Sequence, residues 1–355
     1  MDQEALRGRH LISCQEWARE EIDAALELSV ELKRRYRQRI PHRLLLDQTV
    51  FMVFFEASTR TRNSIEAGIT QLGGHAHDLT PDKMQLSHGE SARDTASVLS
   101  RMGEAIACRN CFYNIGNRYL RELARWATIP VISMQDDVYH PLQALADLMT
   151  IREHFGDGAL RGLKVGISWA HATSHAKPLS VPQSQILLFT RYGMEVTVAA
   201  PPEFPLQAEI VAQARANAAE HGGRLTFTDE MDAAFVDAQV VIPKNWGGFA
   251  HYDPWPVEIE APEREVHLEA MQADLAKYRD WICDARRMGL AAKEVRYMHA
   301  LPADRGREVT DEVIDGPQSI VYDEAENRLH TGKAVMALTM PGSITRSLTP
   351  GGGSS

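Results

Sequence analysis

Cysteine is scarce in this chain. Cys14, Cys108, Cys111 and Cys283 are the only four among 355 residues, too few and too scattered for a disulfide framework, so a reduced, cytosolic protein is expected. Cys108 and Cys111 form a C-x-x-C, but no second pair of ligands stands at matching spacing, so no metal is expected. Long apolar runs are missing too, and the opening MDQEALRGRH has no secretory apolar core, which argues against a membrane or exported protein. Positive charge is in deficit: a formal net charge of −10 offers no footprint for nucleic acid. Neither G-x-x-x-x-G-K-[ST] nor a G-x-G-x-x-G after a strand occurs, so the common nucleotide-binding readings lack support and no cofactor is expected. No internal repeat of short period appears.

What the chain does have centres on residues 51–68, FMVFFEASTRTRNSIEAG. The apolar and β-branched run at 50–55 is short enough for a buried strand. Ser58 and Thr59 follow where a helix N-cap belongs, then Ile65, Ile69 and Leu72 fall on one helical face before the Gly73-Gly74 stop. A strand feeding a helix start presents unpaired N–H groups and the positive end of a helix dipole. Arg60 and Arg62 add cations where the dipole prefers acids. Either they are a solvated surface pair, or an anion sits on them. The serine and the two threonines favour a phosphate.

The rest of the first half reads as a helix at 15–40, a mobile polar loop before Ser91, a helix after it, and a strand at 104–111 containing Arg109 near its end. That arginine is either a structural salt-bridge partner or points into a ligand crevice. A helix then closes at 121–127, and a strand covers 129–134. Pro141 opens the next helix, which leaves His140 and Gln143 at its mouth, suited to a carbonyl oxygen and an amino group. Taken alone, a histidine at this position is more often a capping or core residue. From Leu163 a second alternation begins: strand 163–170, a long polar loop containing KPLSVPQ, a helix at 186–192, then strand, helix and strand to residue 228. Strand AQVVIP follows, with Lys244 and Trp246 just beyond it. Residues 250–285 read as an acidic, proline-punctuated insertion. The chain closes with a strand and tight turn in EVRYMHALPADRG, then a strand and a helix carrying Arg328. The fold class expected is α/β, with two doubly wound parallel-sheet domains and the ligand in the cleft between them. The domains are placed at 1–150, completed by the helix 324–345, and at 151–323, with a flexible tail at 346–355.

ASTRTRNSIE, HPLQALADLMTI, MHALPADRGREVTDEV and DEAENRLHTGKAV, in this order and spacing, resemble the aspartate/ornithine carbamoyltransferases. The resemblance implies metal-free transfer of a carbamoyl group from carbamoyl phosphate to an amine. It implies that Ser58, Thr59, Arg60 and Thr61 hold phosphate and carbonyl oxygen, and that Arg109 bridges the two. His140 and Gln143 would grip the carbamoyl oxygen and nitrogen, the backbone at Ala300 and Leu301 would accept from the carbamoyl NH2, and Arg328 would close the site. It further implies a homotrimer with shared active sites, in which the loop LSHGES reaches the neighbouring subunit. Aspartate enzymes carry a lysine near the centre of that loop; this chain has His88, whose charge depends on pH.

For the second substrate, Lys177, Lys244, Trp246 and His299 are the candidates. Ornithine enzymes have an aspartate in the stretch where Lys244 stands and a cysteine in place of Ala300, so a cationic side chain is poorly matched and an anionic or acylated acceptor better. KPLSVPQ and KNW resemble the knotted subgroup, which includes the N-acetyl- and N-succinylornithine enzymes and relatives of unassigned substrate, so a trefoil knot in the second domain is implied. A non-catalytic paralogue that binds carbamoyl phosphate or a metabolite is the alternative from another class; an aspartate- or ornithine-type enzyme is a further one.

Overall fold

Thr49–Phe54 forms strand β1, buried from Val50 onward and made of apolar residues without alternation, as a strand covered on both faces requires. It belongs to a computed structural model that describes residues 3–173, 177–248, 251 and 267–342. The expected tail at 346–355 and residues 252–266 of the acidic stretch lie outside the described residues. The chain divides into two compact units, one of described residues 3–146 and 326–342, the other of the described part of 147–325.

In the first unit, α1 (Arg19–Arg37) precedes β1, and α2 (Arg60–Gln71), β2 (His75–Leu79), α3 (Ala92–Leu99), β3 (Ala105–Asn110), α4 (Gly116–Trp126) and β4 (Val131–Asp136) follow. The sheet is parallel throughout in the order β2-β1-β3-β4. The chain leaves β1 toward one edge and β3 toward the other, so the switch point lies between those two strands, where such sheets open a crevice at their C-terminal ends. The Ser91 hydroxyl caps α3 by accepting from the Asp94 N–H, as its sequence position suggests. The polar loop before Ser91 is more structured than expected: two short 3-10 turns, Pro81–Lys83 and Gln85–His88, occupy it.

Two helices carry the chain across the division of the units, α5 (Pro141–Phe155) and, last in the chain, α11 (Val321–Thr339). The second unit holds β5 (Lys164–Trp169), α6 (Ser180–Arg191), β6 (Glu195–Ala199), α7 (Ala208–His221), β7 (Arg224–Thr228), β8 (Val240–Lys244), α8 (Leu268–Lys277), α9 (Ala285–Met288), β9 (Arg296–Tyr297) and α10 (Asp311–Ile314). Its sheet is parallel in the order β7-β6-β5-β8-β9, with the switch between β5 and β8. Gly166 is required in β5: a Cβ there would stand 1.8 Å from the Ala234 carbonyl oxygen.

Three expectations change. Helix α6 starts at Ser180, six residues before the expected start at 186, because Pro182 sits in a first turn where its missing N–H costs nothing. Its polar residues are buried and paired, Gln183 with Gln207 and Gln185 with Asp147, which hides the helix from a hydrophobicity reading. No strand precedes α11; Ser319 makes only an isolated bridge to Tyr297. The stretch after 266 is no mere insertion either, since α8 buries Met271 and Leu275, and Trp281 and Cys283 are core residues.

Candidate active site

Residue Thr59 occupies the N-cap of α2 with helical backbone angles (φ −84°, ψ −57°), and its hydroxyl makes no capping bond. The expected hydroxyl cap is therefore absent, because an N-cap side chain reaches the first turn from an extended backbone. No side-chain cap covers the first-turn N–H groups of α2. Arg62 also departs from expectation. It pairs with Asp78 and lies 4.0 Å over the Phe54 ring, so its charge is used within the unit. Of the two arginines, Arg60 is left as the anion candidate, next to half-buried Ser58 and exposed Thr59.

Across the switch point, β3 delivers Arg109. Its register against β4 slips after Cys108, so that Cys108 faces Ser133 but Arg109 faces Gln135. Such an irregularity re-aims a side chain, and here it sets Arg109 Nη1 donating to Gln135 Oε1. Glu56 braces the same corner: it accepts the Cys111 N–H at 2.7 Å, and its Oε2 lies 3.6 Å from Arg109 Nε. The neighbouring Cys108 thiol is pushed well up by burial and so is no reactive thiolate. Among the described residues no cluster of three His, Cys, Asp or Glu is placed to hold a metal ion.

Thr61, Gln143 and Arg328, far apart in sequence, meet inside the first unit. Arg328 donates through Nη2 to Thr61 Oγ1 at 2.9 Å and through Nη1 to Gln143 Oε1. All three are buried, as is His140, whose carbonyl accepts the Gln143 and Ala144 N–H groups and so opens α5. Behind His140 stands a feature the sequence reading missed, the adjacent buried acids Asp136 and Asp137. Asp136 accepts from the Val138 and Tyr139 N–H groups and from Ser133, and Asp137 accepts the Asn114 and Asn117 N–H groups at the start of α4. Burial raises both carboxyls, and Asp136 raises Asp137 further. Gly116 permits this packing: a Cβ would lie 1.8 Å from the Asn110 carbonyl oxygen. Two consecutive acids between a strand and a His-Pro helix start were the available signal.

In the second unit, three of the four acceptor candidates, Lys177, Lys244 and His299, act on another residue not foreseen, Glu308, which is fully buried. Its carboxylate accepts the Asn245 and Asp304 N–H groups, both at 2.6 Å, and the Lys177 ammonium at 3.1 Å; Lys177 also pairs with Asp304 at 2.9 Å. His299 is buried, accepts the Leu301 N–H on Nδ1 and places Nε2 3.5 Å from Glu308 Oε1. Burial lowers the His299 pKa, while Glu308 opposes the shift. For Glu308 the balance is the reverse: burial disfavours the carboxylate, yet His299, Lys244 and Lys177 hold it well below the ordinary range. Lys244, at the end of β8, donates to the Asn245 carbonyl. Trp246 is wholly buried, its Nε1 donating to the Phe204 carbonyl, and its own carbonyl accepts from Trp169. Leu301 sits at φ +51°, in the left-handed region, where Ala300 and Leu301 present their backbone. The backbone of His88 lies in the second 3-10 turn; its side chain is outside the described residues.

Residues 9–153 match the model of the aspartate/ornithine carbamoyltransferase carbamoyl-phosphate-binding domain, and 177–339 that of the Asp/Orn-binding domain. The chain belongs to the aspartate/ornithine carbamoyltransferase family and is a carbamoyltransferase. It is 39% identical over 324 residues to ornithine carbamoyltransferase of Methanoculleus marisnigri, covering 91% of this chain and 94% of that one. Among solved structures it resembles ornithine carbamoyltransferase from Pyrococcus furiosus (TM-score 0.80, 36% identity, 94% of this chain and 98% of that one). It also resembles an acetylornithine transcarbamylase complexed with acetylcitrulline (TM-score 0.84, 32% identity, 94% of this chain and 99% of that one).

Proposed function

We propose that the enzyme transfers the carbamoyl group of carbamoyl phosphate to the amino group of an amino acid bearing an anionic or acylated group, and releases phosphate. The observation that carries this is the meeting of Thr61, Gln143 and Arg328 beside the α2 start, with Arg109 set on Gln135 across the switch point. Phosphate is seated by the first-turn N–H groups of α2 with Ser58, Thr59 and Arg60. As the neutral amine attacks, negative charge gathers on the carbonyl oxygen, where Arg109, Thr61 and His140 stabilise it. The C–O bond to phosphate then breaks, the departing phosphate takes the proton that the amine nitrogen gives up, and the arginines follow the charge onto it. Gln143 Oε1 already accepts from Arg328, but its second lone pair suffices for a carbamoyl N–H. The backbone at Ala300 and Leu301 accepts the other, and Lys177, Lys244, Trp246 and His299 build the acceptor side.

Solved relatives include an N-acetylornithine transcarbamylase variant complexed with carbamyl phosphate and N-succinyl-L-norvaline, which supports an acylated acceptor. Relatives named ornithine carbamoyltransferase make ornithine the second reading. Lys244 and Ala300 count against it. The loop containing His88 and a trimer with shared sites complete the proposal, on the family resemblance, as do a cytosolic location and a knotted second domain. Phosphate release from carbamoyl phosphate, assayed against N-acyl diamino acids, ornithine and aspartate, decides: preference for an acylated acceptor is expected. Turnover with ornithine alone overturns the acceptor assignment. Carbamoyl phosphate binding without turnover on any amine points to a non-catalytic paralogue.

A further inference from the structure

Beyond the C-terminal end of β5, the second unit carries an open cavity of about 500 Å³ lined by His171, Thr173, Leu275, Arg279, Gly306 and Arg307, among others. A cavity of this size suits a small molecule, and its place at the switch strand is where such sheets bind ligands. Its charge is one-sided. Neither Arg279 nor Arg307 has an acidic partner among the described residues, and both are exposed enough to receive one. The nearby Asp304 carboxylate is already paired with Lys177. His171 is the second, independent observation. It is only 7% exposed, and its Nδ1 is buried with no hydrogen-bond partner. Burial and the two arginines lower its pKa, which favours the neutral ring, and a neutral ring can offer Nδ1 as an acceptor. A buried acceptor left unfilled is costly. Lys177 and Lys244, by contrast, already serve Glu308.

We propose that this cavity is the subsite for the head group of the acceptor, with Arg279 and Arg307 taking its α-carboxylate and His171 Nδ1 accepting the N–H of its acylated α-nitrogen. The two groups sit on one carbon of an N-acyl amino acid, which matches two cations beside a single neutral acceptor. A bare carboxylate would satisfy the arginines and leave His171 unfilled. The assignment rests on the carbamoyltransferase reading above and names the residues that select the acceptor.

The test uses the full-length protein with saturating carbamoyl phosphate and three probes in calorimetry: N-acetyl-L-norvaline, its carboxamide, and its N-methylated amide analogue. The acid should bind at least about tenfold tighter than either analogue. Arg279→Ala and Arg307→Ala, both at exposed positions, should erase the preference for acid over carboxamide. His171→Phe should erase the preference for N–H over N-methyl. Unchanged carbamoyl phosphate affinity in each variant shows an intact fold and first unit. Equal binding of acid and carboxamide by the parent protein, no binding of the acid, or discrimination that survives the substitutions overturns the subsite. Failure of carbamoyl phosphate to bind, or of any amine to release phosphate, would instead strike the functional reading beneath it.

Discussion

The two units seat their cations in opposite ways. In the first, Arg328 rests on an amide and a hydroxyl, Gln143 and Thr61, and Arg109 is set by the Gln135 amide with Glu56 no closer than 3.6 Å. Neutral acceptors such as these orient a guanidinium without cancelling its charge. In the second unit Lys177 is held by two carboxylates, and Lys244 acts on the same Glu308. Those charges are largely spent inside the protein. In the proposed reaction, cations of the first kind act on carbamoyl phosphate, whereas Lys177 and Lys244 fix, through Glu308, the loop that forms the acceptor side.

The sharpest way to break this contrast is Arg328→Met. If the arginine stabilises charge that develops in the reaction, kcat should fall about 100- to 1000-fold, as when one preorganised donor is removed. Thermal unfolding and phosphate-release kinetics together separate the outcomes. A large loss of melting temperature with kcat down less than tenfold would place Arg328 with the structural cations.

Glu308→Gln probes the other side. Removing the buried carboxylate leaves Lys177 with Asp304 alone and takes the shared acid from Lys244 and His299, and should destabilise the protein by roughly 3 kcal/mol near neutral pH. The sign with pH is fixed. The folded-state pKa of Glu308 lies below its ordinary value of 4.5, so the stability it gives is complete above that value and fades as pH falls toward the depressed one. Denaturant unfolding of both proteins should therefore show a gap that closes in acid. A gap constant down to the lowest pH at which the protein folds would mean the carboxylate gains nothing from its neighbours.

A smaller effect is expected from Gln135→Leu. Arg109 keeps its charge but loses the acceptor that aims it, and kcat should drop about tenfold, with little change in stability. Arg109→Lys should be worse, since a single ammonium cannot keep the Gln135 bond and reach substrate in the same plane. Equal kcat for the parent and Gln135→Leu would show that the register slip in β3 does not position Arg109.

Much of this was legible in the chain. The parallel alternation, the strand ending near Arg109 and the His140 helix mouth all follow from periodicity and capping signals that act over a few residues. The family motifs put Thr61, Gln143 and Arg328 into one expected site, which no local pattern reveals, but the bonds of Arg328 to the other two came only with the fold. Other features stayed hidden because their causes are long-range. Glu308 looks like a surface acid until the backbone of residue 245 and the ammonium of residue 177 converge on it. Arg62 looks like an anion ligand until Asp78, on the neighbouring strand β2, claims it. Helix α6 is masked by glutamines whose partners lie on other elements. His171 lies more than a hundred residues before Arg279 and Arg307, and only the folded cavity makes one site of them.

Lys333 gives the subtlest test, because it is seated like an arginine of the first unit yet can lose its proton. It is wholly buried on α11, donating to Gln71 Oε1 at 3.0 Å and contacting His42 Nε2 at 3.2 Å, with its ammonium 5.2 Å over the Tyr36 ring. The His42 Nδ1 lies 2.9 Å from the Ile40 carbonyl, which fixes its proton there and leaves Nε2 as the acceptor. Neutral seats preserved the charge of Arg328, but burial pushes Lys333 down to about 8 from 10.5, since an amine escapes desolvation by deprotonating and a guanidinium does not. Between those values the unfolded chain holds a proton that the folded one has released. The stability of the parent protein relative to Lys333→Met should therefore rise with pH across that window, by up to about 3 kcal/mol. Urea unfolding of the pair from pH 7 to 10.5 measures the difference directly. A flat difference would show that amide, imidazole and ring hold the ammonium as firmly as they would a guanidinium, and that neutral seating alone decides whether a buried cation keeps its charge.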